Sequence, residues 1–238
     1  MFAKAWPVLT LTGLWAEARY RALKVAIGVL AAGGLVWLLV GGLGGFQQVL
    51  SFRGARGYQV ESTVGSVLLM GTDHEFFSEA GALRIASQPE WAKYTVAGLL
   101  VAGVTIAWVL GLRAARRLPR RATEAAILGS LVAVGLLLVL SPLLSPQYLV
   151  WLLPFVAVRW RDVPLVATMA GALVLTAWVT SHYEELIGES RRALGRLIVL
   201  RNGLLVIAVA IGMARLWELA TRRVSAPDAA CTARRTPR

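Results

Sequence analysis

The sequence predicts an all-α, polytopic transmembrane bundle of about five or six membrane helices, with one broken helix and one amphipathic helix on the outer side. Two observations carry this. Only 16% of the 238 residues are charged, against about 25% in an ordinary soluble domain. The apolar residues also fall in long uncharged blocks, and the longest, 25–52, exceeds the ~20 residues needed to cross a ~30 Å hydrocarbon core.

Residues 1–24 form an N-terminal segment whose apolar run, 5–15, is too short to cross and carries Pro7. Lys4 and Ala16-Glu17-Ala18 give it some signal-peptide character, but Arg19, Arg21 and Lys24 follow at once, and their translocation opposes the positive-inside rule. It reads as an interfacial helix on the cytoplasmic side. The membrane domain, 25–220, contains spans at 25–43, 94–112, 125–144 and 163–180, and a fifth at 197–214 whose first turn is interrupted by Arg201 and Asn202. A shorter run, 147–158, adds one more crossing. The tail, 221–238, is polar, rich in arginine and disordered in expectation, and anionic lipid attracts it.

Charge sets the orientation. With the N-terminus inside, 17 of the 25 basic residues but only 5 of the 13 acidic ones face the cytoplasm, so the whole net charge of +12 lies there. Both termini are therefore expected in the cytoplasm of a multi-pass plasma-membrane protein. The arginines separate apolar blocks and do not form a polar, aromatic-interleaved patch, which argues against a nucleic-acid partner. The one cysteine, Cys231, allows no intrachain disulfide. No metal or phosphate-loop motif is present; Asp73-His74-Glu75 are adjacent residues that do not readily converge on one ion, so no cofactor is expected, although a divalent metal is compatible with the chemistry below.

Two stretches depart from plain spans. In Ser141-Pro142-Leu143-Leu144-Ser145-Pro146, two Ser-Pro steps disfavour continuation of the preceding helix, and Ser145 with Pro146 forms a helix start. The new helix, within 145–158, runs twelve residues before Arg159, about 18 Å as α-helix, so its break is expected at membrane depth, where irregular backbone lines a cavity or lies buried in protein. Its amides, Gln147 and Tyr148 would then suit an anion; the competing reading is a tight turn with Trp151 as an interface anchor. The outer loop, 44–93, is too long for a connector. On helical spacing its residues Gln59, Ser62, Thr63 and Ser66 share one face and Val60, Val64, Val67 and Leu68 another, predicting an amphipathic helix begun by Arg53 and Arg56. Arg56 can clamp a phosphate and Glu61 can accept hydrogen bonds from sugar hydroxyls; equally, this is a surface helix with solvated charges. His182-Tyr183-Glu184-Glu185 reads as a solvated outer loop with a secondary chance of lining a pocket.

Arg56-Gly57-Tyr58-Gln59-Val60-Glu61-Ser62, followed by Ser145-Pro146-Gln147-Tyr148-Leu149-Val150-Trp151-Leu152-Leu153-Pro154, resembles the C-terminal half of glycosyltransferase family 87, membrane enzymes of the GT-C type that include polyprenol-phosphate-mannose-dependent α-mannosyltransferases. The resemblance covers about 4–215. It implies transfer of a hexose, mannose foremost, from a polyprenyl-phosphate donor to a lipid or glycan acceptor outside the cytoplasm. It makes Arg56, Gln59, Glu61, Ser62, Gln147 and Tyr148 the substrate-contacting candidates. Such enzymes take their base from an Asp in the first outer loop, and no counterpart stands in this sequence. The N-terminal catalytic half is thus expected elsewhere, in a longer chain or a separate membrane subunit, and no catalytic base is assigned. A non-catalytic remnant or subunit is the alternative. Transport or lipid flipping ranks third, because the spans from residues 25, 94, 125 and 163 contain no ionisable residue.

Overall fold

The computed structural model describes residues 28, 31–36, 38–40, 42, 57–71, 76–79, 81–87, 89–189 and 191–222. Within the expected first span, residues 31–36 and 38–40 are helical. Beyond it, the chain forms β1 (Gly57–Gln59), α1 (Thr63–Gly71), β2 (Phe76–Glu79), β3 (Ala82–Ser87), α2 (Glu90–Arg117) and α3 (Ala122–Leu140). A 3₁₀ stretch (Pro146–Leu152) leads into α4 (Leu153–Val158), followed by α5 (Val163–Ser181), α6 (Tyr183–Glu189) and α7 (Arg191–Thr221). Among the described residues, four segments are long and apolar enough to cross a membrane: Tyr94–Arg117, Pro119–Leu140, Val163–Ser181 and Arg191–Thr221.

The bundle is built around α7, which packs against α1, α2, α3 and α5. Leu205, Ala208 and Leu216 of α7 meet Leu128, Leu131 and Val132 of α3 and Leu165 and Met169 of α5 in the main core. The α3–α7 approach needs glycine. A Cβ on Gly135 would stand 2.4 Å from Val209 Cγ2, and one on Gly212 would stand 2.7 Å from Leu131 Cδ2. Small residues of this kind let membrane helices gain van der Waals contact where no hydrophobic effect drives them together. Outward faces are apolar, with Leu99, Val101, Ile106 and Val109 of α2 all exposed. Exposed Trp91, Tyr94 and Trp178 ring one end of the bundle and Trp160 and Trp217 the other, the placement of interfacial aromatic belts.

One end is rich in charge. There Arg159 pairs with Glu124 at the start of α3 and with Asp162 at 3.3 Å, while Arg215 near the end of α7 reaches Asp162 at 3.3 Å. Arg117 Nη1 donates to the carbonyl of Ala220 at 3.1 Å, fixing α2 to the same end of α7. The broken segment therefore returns from the far end of α3 to its beginning. α3 has 19 residues, about 28 Å of axis. The seven residues of 3₁₀ helix rise ~2.0 Å each and the six of α4 ~1.5 Å, covering roughly 23 Å. The extended link through Ser141–Ser145 supplies the remainder. The expected α-helix from Pro146 is thus 3₁₀ for its first seven residues, and the tighter coil lengthens the crossing. Ser145 is the N-cap with Pro146 at the first position, as read from sequence, but its side chain makes no capping bond.

The opposite end carries a crown that the sequence reading did not include. β1 and β2 flank β3 in an antiparallel sheet, with Tyr58 opposite Ile85, Gln59 opposite Arg84 and Phe77 opposite Arg84. Arg84, 2% exposed, bonds the carbonyl of Gly57 at 2.8 Å and that of Glu79 at 3.1 Å, joining both outer strands. Residues 57–59 are accordingly strand, and the expected amphipathic helix begins only at Thr63. Of its two faces the polar one turns inward: Ser66 is buried whereas Val64, Val67 and Met70 are exposed. A second core of Tyr58, Val60, Leu69, Ile85, Val179, Leu194 and Ile198 seats the crown on α5 and α7.

The glycine contacts give a direct test. Gly135→Leu should cost about 1–3 kcal/mol in thermal unfolding of the detergent-purified protein, whereas Gly98→Leu, with open space around its Cβ position, should be close to neutral. Equal effects would refute the α3–α7 approach.

Candidate functional site

The crown positions Glu61. Val60 N donates to the carbonyl of Leu83 at 3.1 Å, Gln59 N to that of Pro142 at 3.0 Å, and Thr63 Oγ1 to that of Val139 at 2.8 Å. The turn between β1 and α1 is thereby tied both to the sheet and to the chain leaving α3. Ser62, fully buried, caps α1 through its hydroxyl, which accepts from Gly65 N at 3.0 Å. Only glycine fits at position 65, since a Cβ would stand 2.1 Å from the carbonyl oxygen of Gln59.

Beneath this turn lie Arg201 and Asn202, 0% and 2% exposed. Both donate to the backbone carbonyl of Glu61, Arg201 through Nη2 at 2.5 Å and Asn202 through Nδ2 at 3.2 Å. Arg201 also holds Asn202 Oδ1 through Nε at 3.1 Å and Nη2 at 2.9 Å. Asn202 Nδ2 reaches Ser66 Oγ at 3.2 Å, and that hydroxyl donates to the carbonyl of Thr63 at 2.9 Å. Arg201 Nη1 is buried without a hydrogen-bond partner among the described residues.

Among the described residues, the Glu61 carboxyl takes one hydrogen bond, from Gln59 Nε2 at 3.3 Å, and Glu61 lines a cavity of about 660 Å³. The rest of the lining is the α5–α6 junction, Thr180 through Glu185. Burial pushes the carboxyl up to about 7, against the lowering influence of Arg201 and of the Gln59 bond. Burial likewise pushes the Tyr183 hydroxyl up to about 12, with Glu61 adding to the rise. His182 stacks on Trp178 with ring centroids 4.7 Å apart, and its Nδ1 stands 3.0 Å from the Trp178 carbonyl. The site is a neutral-pH carboxyl among hydroxyls, beside a buried guanidinium, at the end of the bundle opposite the arginine-rich one.

The sequence candidates divide. Gln59 and Glu61 share the site, and Ser62 supports it from within as a helix cap. Gln147 is exposed, and Tyr148 stacks on Trp151 with centroids 4.6 Å apart against the main core; neither lines the Glu61 cavity. Arg56 and Asp73-His74-Glu75 lie outside the described residues. Among the described residues, no group of three or more His, Cys, Asp or Glu side chains is placed to hold a metal ion. Sequence reading missed Arg201 and Asn202 as site residues, treating them as an interruption near a span end, although an ionisable residue within an apolar stretch is itself a functional signal. No protein-family model matches this chain, and no curated protein or solved structure is significantly similar to it.

The Glu61 environment predicts a pH signature. Its folded-state value lies above the ordinary 4.5, so its stabilising contribution is full below 4.5 and is lost as pH rises through about 7. Between about pH 5 and about pH 8, wild type should lose up to roughly 3 kcal/mol relative to Glu61→Gln. Parallel stability profiles for the two proteins would show that the carboxyl is not buried in this way.

Proposed function

We propose that this chain forms the donor- and acceptor-binding part of a membrane glycosyltransferase, which moves a hexose from polyprenyl phosphate to a lipid or glycan acceptor on the extracytoplasmic face. The observation that supports this most is the Glu61 carboxyl, buried at the membrane's edge and open to a cavity walled by the hydroxyl-bearing Thr180, Ser181 and Tyr183. Carboxyls and hydroxyls are the groups that hydrogen-bond sugar hydroxyls. A carboxyl titrating near 7 can accept such a bond in its ionised form or donate one when protonated. The cavity lies at the end opposite Arg117, Arg159 and Arg215, and with those residues in the cytoplasm by the positive-inside rule it opens outside the cell.

In the reaction, an acceptor hydroxyl oxygen attacks the anomeric carbon as the bond to the carrier phosphate breaks. A base removes the hydroxyl proton and cations steady the departing phosphate. Gln59 and Glu61 hold sugar, Arg56 meets the phosphate, and the base comes from an N-terminal half in the same or a neighbouring chain. Mannose is the favoured hexose by the resemblance. The transport reading is weakened on a new ground. Arg201 does lie inside α7, about ten residues or 15 Å from its start, but it is occupied in holding a backbone carbonyl.

In membranes containing the complete enzyme and supplied with radiolabelled polyprenyl-phosphate mannose, Glu61→Gln and Arg56→Ala should each reduce transfer by roughly a hundredfold at unchanged expression. Undiminished transfer in both would sink the site assignment.

A further inference from the structure

The exposed apolar strip of α7 ends in charge. Arg192, Arg196, Leu200, Ile207 and Ala210 are all exposed, and at steps of three or four residues, through Gly203, they follow one face of the helix. Arg201 lies on the opposite side, buried against the Glu61 turn. Two guanidiniums one turn apart therefore cap an apolar strip.

Their depth is set by the rise of α7. From Arg196 to Arg215 the helix climbs about 28 Å, close to the ~30 Å of a hydrocarbon core. Arg215 belongs to the ion pairs of the other end. Arg196 accordingly stands at the hydrocarbon edge on the crowned side, and Arg192 about 6 Å beyond it. This is the depth of lipid phosphates, at the end where Trp91, Tyr94 and Trp178 are exposed.

Both guanidiniums are uncommitted. Among the described residues, Arg192 and Arg196 make no hydrogen bond, ion pair or ring contact, whereas their neighbour Arg191 lies 4.5 Å from the Phe76 ring centroid. Like charges at this spacing repel along a helix, and an anion between them removes the repulsion. Each guanidinium fork grips a pair of phosphate oxygens. A phosphodiester has two free oxygens and so one such edge. A phosphate monoester has three, which serve two forks at once, and its charge approaches two against the two of the arginines.

The strip below suits a hydrocarbon chain. A Cβ on Gly203 would meet nothing within 4 Å, so the surface between Leu200 and Ile207 is open. We propose that Arg192 and Arg196 bind a lipid ending in a phosphate monoester, with its chain along Leu200, Gly203 and Ile207. This surface is separate from the Glu61 cavity, whose lining includes no residue of α7.

The test is native mass spectrometry of the full-length, delipidated protein at about pH 8, where the monoester is almost fully ionised. Phosphatidic acid and phosphatidylglycerol of identical acyl chains are supplied together. Wild type should retain phosphatidic acid, the monoester, roughly tenfold better than the diester. Substituting Arg192→Gln and Arg196→Gln together should bring that ratio near unity, while Arg116→Gln, at an exposed site on the other end, should leave it unchanged. Equal retention of the two lipids by wild type would overturn the proposal, and that comparison decides even where a variant is unstable. An undiminished preference in the double variant, or an equal loss in Arg116→Gln, would overturn it too. Displacement by inorganic phosphate at equal concentration would overturn the assignment to a lipid.

Discussion

The buried guanidinium of Arg201 organises the crowned end of this protein. Arg201 is inaccessible to solvent, and an ionised side chain in such a place is tolerated only where hydrogen bonds and opposite charge replace water. Nε and Nη2 find them in the carbonyl of Glu61 and the amide oxygen of Asn202, the nearby Glu61 carboxyl supplies opposite charge, and Nη1 alone is left without a hydrogen-bond partner among the described residues. Because that carbonyl belongs to the turn between β1 and α1, satisfying Arg201 pulls the crown onto α7. The same turn then aims the Glu61 side chain at the cavity beside α6. The inverted polarity of α1 follows too. Ser66 turns inward to meet Asn202, which leaves Val64, Val67 and Met70 facing out, where lipid accepts them.

The other end is held by a different device. Glu124, Arg159, Asp162 and Arg215 connect α3, the turn before α5 and α7 through ion pairs at half-buried positions. Pairs like these contribute little in water, but they fix where each chain segment ends. Between the ends, the short return from Ser145 is long enough only because its first seven residues are wound as 3₁₀ helix. Close α3–α7 packing through Gly135 and Gly212 makes this pair the rigid axis to which both polar ends are attached.

The spans were legible because lipid-facing helices write their character in plain composition: uncharged blocks bounded by arginine. Helix α3 stops at Leu140, immediately before the Ser-Pro step that disfavours its continuation. The crown was not legible by the same reasoning. Its strands are three, four and six residues long, too short for periodicity to stand out, and Gly81, at φ +75° between the second and third, was the available turn signal. The direction of α1 was not legible either, because amphipathicity names two faces without saying which solvent each meets. At a membrane's edge the serines go in and the valines out. Glu61 was visible as a candidate, yet the partner that presents it lies 140 residues later in sequence, a separation no local pattern encodes.

Hydrogen–deuterium exchange on the intact protein and on Asn202→Ala tests the dependence of the crown on this clamp most directly. If Arg201 and Asn202 hold the turn, amides of residues 60–71 exchange slowly in wild type and at least about tenfold faster in the variant. The half of α7 from Leu205 onward should be unchanged. Unchanged protection over 60–71 would contradict the account, since the crown would then be held by its sheet and apolar core without the buried polar contacts.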